Sequence, residues 1–553
     1  MKASMYRTPI LMLTFLLSSL CALSQVPKHE VRAVWLTTLK SLDWPSVKAT
    51  SPESIERQKQ QFRDILDRLG RTHVNTILLQ TRIRATTLYP SRLEPWDACL
   101  TGKGGRSPGY DPLQFAIDEC HKRGMELHAW VVSIPVGKWN DTGCKQLRER
   151  YPRMVMKIGD EGYMNPEYSE TASYIAGICR EIVDNYDVDG IHLDYIRYPE
   201  NMKLRVSKSQ GRENITRIVR TIHERVKSVK PWVKLSCSPI GKFSDLPRHS
   251  SLGWNAYDRV CQDAQGWLRD GLMDQLYPMM YFKDDQFYPF AADWASNSYG
   301  RTVVPGLGIW LLSRREGANW SLMDITRELN VLRQMGMGHT YFRSRFFTDD
   351  TKGIYTYVER YLDTYPSLTP PMTWQSKAIP TRPDGMDLSQ EGTRLRIRWW
   401  GGSDRSGGPY LMYNVYADTE TPVDVSDARN LVARRLTSPH LTIEGEDGRH
   451  YFAVTSIDRY GNESEALQSE QPYRPTIEWL PNDGRQLPVP ALPQDFECSY
   501  LSIVSLTGTT MTIRPVGGKT LSIRRLPEGV YILCAVDKKK RSRRIGQFVV
   551  KRS

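Results

Sequence analysis

The sequence predicts an α/β architecture: a (β/α)8 barrel followed by an all-β sandwich and a small β-rich C-terminal domain. Three observations lead there. Between about residues 30 and 365, eight short apolar or β-branched runs alternate with longer segments of helical period, the pattern of a barrel with enlarged loops. At Ser367-Leu-Thr-Pro-Pro371 two prolines stop any continuing helix, and beyond them the apolar period falls to two. A doubly wound sheet would want a Gly-rich phosphate turn after the first strand, and LTTLKSLDWPS has none.

In chain order the expected strands are 32–38, 74–82, 126–133, 188–196, 234–240, 273–282, 302–311 and 339–346. Helical periodicity is clearest over 54–69, 112–123, 170–186, 213–229, 258–270 and 321–335, with a last helix near 354–365. After the linker, strands are expected at 395–400, 413–417, 440–443 and 451–457, spaced by turn residues as in a small sandwich. The final segment carries short strands with a turn at Leu526-Pro-Glu-Gly529. The expected domains are therefore a signal peptide (1–24), the barrel (25–368), the sandwich (369–473) and the β-rich tail (474–553).

A chain of 553 residues, 40% hydrophobic and 25% charged with 15 Trp and 28 Tyr, is neither disordered, collagen-like nor a disulfide framework. No apolar run after residue 30 approaches the roughly 18 residues of a membrane span. Lys2 and Arg7 precede an apolar core over 10–20, and Ala22-Leu-Ser24 gives a small-x-small cleavage pattern before Gln25, as in a secretory signal. Leu20 stands where a lipid-bearing Cys21 would want a small neighbour, so cleavage after Ser24 is favoured over lipidation. Export would place the mature protein in the periplasm, at the cell surface or outside. The remaining cysteines lack C-x-x-C spacing, and neither a zinc site nor a redox motif is expected. The net charge of +13 is concentrated toward the tail, in Lys538–Arg541, Arg543-Arg544 and Lys551-Arg552, without a nucleic-acid motif, and reads as a solvated basic end.

In a barrel the chemistry lies at the C-terminal ends of the strands. Strand four reads YDVDGIHLDYIRYP, and alternation puts Ile191 and Leu193 toward the helices and His192 and Asp194 toward the barrel interior. Asp194 is thus the first catalytic candidate, its alternative being an ion pair with Arg197 or Arg82; Asp189, at the strand's start, reads as structural. On strand two Gln80 and Arg82 share parity and are expected to bind ligand hydroxyls, orient a carboxylate or close a loop. Strand three offers Trp130 as a sugar-stacking platform or core residue and His128 as a core histidine. Strand six offers Tyr281, followed by Asp284 and Asp285, and strand eight places Tyr341 and Arg343 on one face. Glycoside hydrolysis needs two carboxyl groups, so Asp194 with Asp285 or Asp284 is the economical pair. Glu94 and Asp111 are reserves, Asp111 doubling as an N-cap before Pro112. No G-x-S-x-G, Walker or H-E-x-x-H motif occurs.

The motifs VRAVWLTTLKSLDWPS, NTILLQTRIRATTLYPSRLEPW, GYDPLQFAIDECHKRGMELHAWV, YDVDGIHLDYIRYP, KLSCSPIG, DAQGWLRDGLMDQLYPMMYF and GHTYFRSRF, in this order, resemble the glycosyl hydrolase-like family 10 proteins of bacterial envelopes. The resemblance covers about 30–365 and implies a TIM barrel with a glycosidase site at its top; the family includes an envelope enzyme that cleaves denuded peptidoglycan glycan strands. Three departures stand out: Arg84-Ala-Thr-Thr87 where many members carry a carboxylate, Tyr195 where many carry a second Asp, and Lys283-Asp-Asp285, whose carboxylates are shifted by a place or two. The segment with Trp399, Trp400 and HYFAVTSIDRYGNES resembles a fibronectin type III domain, and the last strands resemble either a type IX sorting domain, which would contact secretion machinery, or a plain terminal β-domain. The resulting expectation is a secreted, cofactor-free hydrolase of O-glycosidic bonds, with Asp194 as nucleophile or base, Asp285 or Asp284 as acid, and Gln80, Arg82, Trp130, His192, Tyr281 and Arg343 around the substrate. The alternative is a non-catalytic glycan-binding or scaffolding protein of the envelope.

Overall fold

The computed structural model describes residues 26–391, 394–444, 451–472, 479–492, 496–505, 509–539 and 541–551. The expected signal segment, 1–24, lies outside the described residues. Strand one (Arg32–Leu36) pairs in parallel with strand two (Thr76–Arg82), and the parallel pairing continues through strand three (Glu126–Val132), strand four (Gly190–Asp194), strand five (Lys234–Cys237) and strand six (Gln275–Leu276). Strand seven comes in two pieces, Thr302–Val303 on strand six and Gly306–Leu307 on strand eight (His339–Tyr341), and strand eight returns to strand one. Both pieces belong to one short run, so the sheet closes on itself as a barrel.

Helices follow the strands, among them Pro52–Arg71, Pro112–His121, Ser169–Asn185, Lys208–Lys227, Tyr288–Ser296 and Leu322–Gln334. Their starts are set locally: Ser51 and Ser321 form capping boxes, and Asp111 accepts from the backbone N–H groups of Leu113 and Gln114. The expected helix over 258–270 is two short ones, Ala256–Arg259 and Ala264–Arg269, because Cys261 between them adopts φ 57° and Asp263 caps the second. Strand eight stops at Tyr341 rather than 346, since Ser344–Thr348 turns helical, and strand seven gives way to a 3-10 turn over Ile309–Leu312. After strand three the chain inserts a helix, Thr142–Arg150, and a small antiparallel sheet of Pro135–Lys138, Val155–Ile158 and Glu161–Met164.

The period of two sorts the core. Ile77, Leu79, Leu127, Ala129, Ile191 and Leu193 join the large apolar cluster shared with the helices, while Trp35, Leu78, Trp130, Tyr277 and Val304 fill the barrel interior. Glycine makes room for the inner rings: a Cβ on Gly190 would lie 2.7 Å from the His128 ring, and one on Gly306 2.5 Å from Trp35.

Past the linker, two sheets pack around Leu395, Ile397, Trp399, Val415, Phe452 and Val454: one of Gly385–Glu391, Arg394–Trp400 and His440–Glu444, the other of Leu431–Leu436, Met412–Asp418, Tyr451–Ile457 and Leu467–Gln468. A further four-stranded sheet (Thr510–Pro515, Tyr500–Ser505, Gly529–Val536, Ser542–Val550) has its own core of Leu501, Leu533 and Phe548. The sandwich seals the amino-terminal ends of the barrel strands. Arg435 donates to Asp189 at 2.6 Å and Glu126 at 3.1 Å, Arg459 pairs with Asp187 at 3.1 Å, and Arg434 donates to the Val74 carbonyl at 2.6 Å. Asp189 also meets His121 at 2.8 Å and accepts from the Leu127 N–H, fitting the structural role expected of it.

Candidate active site

Asp194 ends strand four at the mouth opposite the sandwich, only 6% exposed. Strand register puts it beside Val132 and puts His192 beside Trp130. Three donors fix its carboxylate: the Trp130 indole at 3.2 Å on Oδ2, and the Ser238 hydroxyl at 2.9 Å and the Tyr195 N–H at 2.8 Å on Oδ1. Burial pushes its pKa up, while the Arg197 guanidinium and these hydrogen bonds hold it down. The opposition leaves a carboxyl group raised above its ordinary range yet held by donors that favour its charged form. The next residue, Tyr195, turns out of the strand at φ 51° and is 37% exposed.

The structure gathers Trp130 and Tyr281 with Asp194. Trp130 lies in the barrel interior at 4% exposure, so its contact with Asp194 is through its indole N–H and not through an open face. Tyr281 packs its ring 5.7 Å from Phe342, its hydroxyl is buried without a partner, and both burial and the Asp194 charge raise its pKa. Arg197 stacks 4.2 Å over the Tyr195 ring and pairs with Glu200.

The other expected ligand residues are placed differently. Gln80 points inward and accepts from the Thr37 hydroxyl at 2.7 Å and from the Thr38 and Leu39 N–H groups, which ties down the loop after strand one. Arg82 departs from the expected parity with Gln80: the pairing with strand three shifts register between them, and Arg82 sits fully buried with Glu94 at 2.6 Å, near Tyr174 and Cys179 of the helix Ser169–Asn185. This also accounts for Glu94, and it leaves Arg82 a loop-closing tie away from Asp194. His192 is wholly buried between the rings of Trp35 and Tyr277, with the Trp35 indole 3.2 Å from Nε2 and Ser236 Oγ 3.0 Å from Nδ1, and burial drives its pKa well below the usual value. Arg343 pairs with Asp43, and Tyr341 is fully buried. His128 meets Glu126 at 3.1 Å at the sealed end. Asp111 caps its helix and accepts from the Tyr186 hydroxyl at 2.6 Å.

Asp284 and Asp285 stand exposed on the short turn Asp284–Gln286 after strand six. Gln286 staples that turn to the loop after strand five, accepting from the Leu252 N–H at 2.8 Å and donating to the Ser250 carbonyl at 3.2 Å. The joined rim presents Leu252 and Trp254, 70% and 47% exposed. Sequence reasoning missed Ser238 and Glu200. Ser238 stands in KLSCSPIG just past strand five, where its parity with Ser236 already placed it inward at the mouth; Glu200 followed a proline and gave no signal. Among the described residues no group of three or more His, Cys, Asp or Glu is arranged to hold a metal ion.

The glycosyl hydrolase-like 10 family model matches residues 30–309, half of the chain. The chain belongs to that family. It is similar to glycosyl hydrolase YngK of Bacillus subtilis (strain 168), 27% identical over 495 residues that span 82% of this chain and 95% of that one. It is also similar to glycosyl hydrolase DigH of Escherichia coli (strain K12), 34% identical over 297 residues, 47% of this chain and 67% of that one. A solved endo-beta-1,4-mannanase from Thermotoga petrophila superposes at TM-score 0.39 with 10% identity, over 80% of this chain and 98% of that one, too distant to inform the site. The family match contains Asp194, Trp130, Ser238 and Tyr281, so the gathered mouth lies within the glycosyl hydrolase-like region, whereas Arg343 lies outside it.

Proposed function

We propose that the protein is a secreted glycoside hydrolase that cleaves O-glycosidic bonds in a polysaccharide, working in the bacterial envelope or outside the cell. The observation that carries this reading is Asp194: a buried carboxylate at the barrel mouth, fixed by three donors. A carboxylate so oriented suits a nucleophile or a base that activates water, since neither oxygen has to reorient during attack. Asp285, or its neighbour Asp284, is assigned as the general acid. A glycan lying across the rim of Trp254 and the 284–286 turn would exclude water there and bring its leaving oxygen within reach of that carboxyl. Gln80, Arg82, His192 and Arg343 support the walls of the mouth through their internal partners, and Trp130 and Tyr281 complete the immediate surroundings of Asp194. The chemistry needs no cofactor. Denuded peptidoglycan strands are the first substrate to try, because of the family's envelope setting.

A second reading, a glycan-binding scaffold, is favoured by one observation: Tyr195 follows Asp194 where many family members carry a second Asp, and the assigned acids Asp284 and Asp285 stand exposed on a turn. Reducing-end release by residues 25–553 from peptide-free peptidoglycan strands and a panel of other glycans, with Asp194→Asn alongside, separates the two. Release by the wild type that disappears in the variant supports the hydrolase. Binding without release from any glycan moves the assignment to the scaffold.

A further inference from the structure

The charge excess of the chain is gathered in its last β-rich segment. Residues 474–553 hold 14 Lys and Arg against 6 Asp and Glu, so +8 of the net +13 falls there. Strand register then places much of it at one end of the four-stranded sheet. Pro515, Tyr500, Val536 and Ser542 are partners across the four strands, so the turn after Pro515 and the turn after Val536 leave the sheet at the same end. The first turn carries Lys519 and the second Lys538, Lys539 and Arg541, all exposed, with the exposed Arg514 just before Pro515. Two acids answer them. Asp537 accepts from the Lys539 and Arg541 N–H groups and from Arg541 Nε at 2.6 Å, which fixes the second turn. Glu497 meets Lys538 at 3.3 Å, a largely exposed pair of little strength, so this end stays cationic.

The same corner is apolar. On the edge strand Thr510–Pro515, Met511 and Ile513 are 39% and 55% exposed, and Val516 just beyond it is 39% exposed. Ile513 shares a face of the sheet with Arg544 through the register partners Ser502 and Cys534. Cations alone would suit any polyanion in water, which gives exposed Met, Ile and Val side chains nothing to enter. A bilayer with anionic headgroups takes both, its phosphates meeting the cations while the apolar side chains enter the acyl boundary. Among the described residues no helix is long and apolar enough to cross a membrane, so such attachment is peripheral. We propose that this end of the last sheet docks on an anionic lipid surface, with Arg514, Lys519, Lys538 and Lys539 on headgroups and Ile513 and Val516 inserted. The barrel is thereby held at that surface, whatever the role of Asp194.

The test is co-sedimentation of residues 25–553 with vesicles of equal parts phosphatidylglycerol and phosphatidylethanolamine. The chain should sediment with them at low salt, be released by about 0.5 M salt, and leave phosphatidylcholine vesicles alone. Lys519→Ser with Lys539→Ser should weaken binding by about fivefold per cation. Ile513→Ser with Val516→Ser leaves the charge unchanged and should weaken it about tenfold or more. Arg525→Ser with Lys551→Ser removes as much charge near the opposite end of the sheet, where Gly529 pairs with Val550, and should change binding by less than about twofold. All of these side chains are exposed, so the variants should keep the wild-type melting temperature. No sedimentation with the anionic vesicles overturns the proposal. Equal losses in the two cation pairs also overturn it, because they would reduce the binding to general charge attraction. Full binding in the Ile513 and Val516 variant overturns it as well, and equally tight binding to soluble polyphosphate would then assign the end to a polyanion in water.

Discussion

At the amino-terminal ends of the barrel strands, Glu126 and Asp189 are met by Lys234, Arg435, Arg459 and His121, and Thr369 donates to Glu126 at 2.7 Å. At the other end Asp194 accepts from Trp130, Tyr195 and Ser238 and has no ion pair among the described residues, Arg197 on the next loop pairs with Glu200, and the Tyr281 hydroxyl and two Arg197 nitrogens have no partner. Both ends bury carboxylates, but the sealed end surrounds them with several cations while Asp194 is held by hydrogen-bond donors; unpartnered nitrogens occur at both ends, as on Arg459 and His128. Breaking a paired buried charge leaves its partner stranded and destabilises, whereas a buried carboxylate without an ion pair, in the family's matched region, fits the catalytic role proposed for Asp194. The same residue type therefore has opposite meanings at the two ends.

The largest effect should come from the sealed end. Arg435→Met leaves Glu126 and Asp189 short of a buried cation and should cost about 3–5 kcal/mol in denaturant unfolding. A loss below about 1 kcal/mol would mean that the barrel satisfies its own charges and that the sandwich is a passenger. A smaller effect is expected at the mouth. Trp130→Phe keeps most of the ring but removes one donor to a charged oxygen, worth about 1.5–3 kcal/mol at most, so kcat/KM should fall about tenfold or more with little change in melting temperature. Equal activity would take Trp130 out of the site.

The pH dependence of stability sharpens the contrast further. Coulombic attraction from Lys234 and Arg435 at Glu126, and from His121, Arg435 and Arg459 at Asp189, holds both carboxyls below their usual range against their burial. Their contribution is present above the unfolded value near 4 and is lost as pH falls through the lowered folded values. His73 behaves in the opposite sense. Burial, with help from Arg434, pushes its pKa down to about 4, so between roughly 6.5 and 4 the unfolded chain takes up a proton that the folded chain refuses. Melting temperature should thus begin to fall below pH 6.5 and fall again below 4, and His73→Gln should shrink the first fall while sparing the second. An unchanged first fall would assign it to other buried histidines.

How far the sequence revealed these two ends depended on how regular each strand was. Strand four keeps its alternation, so Ile191 and Leu193 could be read toward the helices and Asp194 toward the mouth from YDVDGIHLDY alone. Strand two does not: the register shift between Gln80 and Arg82 sends Arg82 to Glu94, and a bulge leaves no mark on an apolar pattern. The Arg343–Asp43 pair joins residues 300 apart, and the sandwich arginines reach carboxylates on the barrel, contacts that no local spacing encodes. The helix and small sheet after strand three were also invisible, because strands of four residues carry too little periodicity. Local period revealed the elements and one catalytic candidate; long-range pairing decided which charges were structural.

The most direct test of the distinction compares two isosteric changes in one experiment, Asp194→Asn and Asp189→Asn, measuring glycan release and melting temperature for both. Asp194→Asn should lose release by about a thousandfold or more while its melting temperature holds, since the amide keeps the side chain's shape and an oxygen for the Ser238 and Tyr195 donors and breaks no ion pair. Asp189→Asn should lose several degrees, because it strands Arg435 and Arg459, and should keep release while it remains folded. Release retained in Asp194→Asn, or a melting temperature that collapses as in Asp189→Asn, would contradict the account.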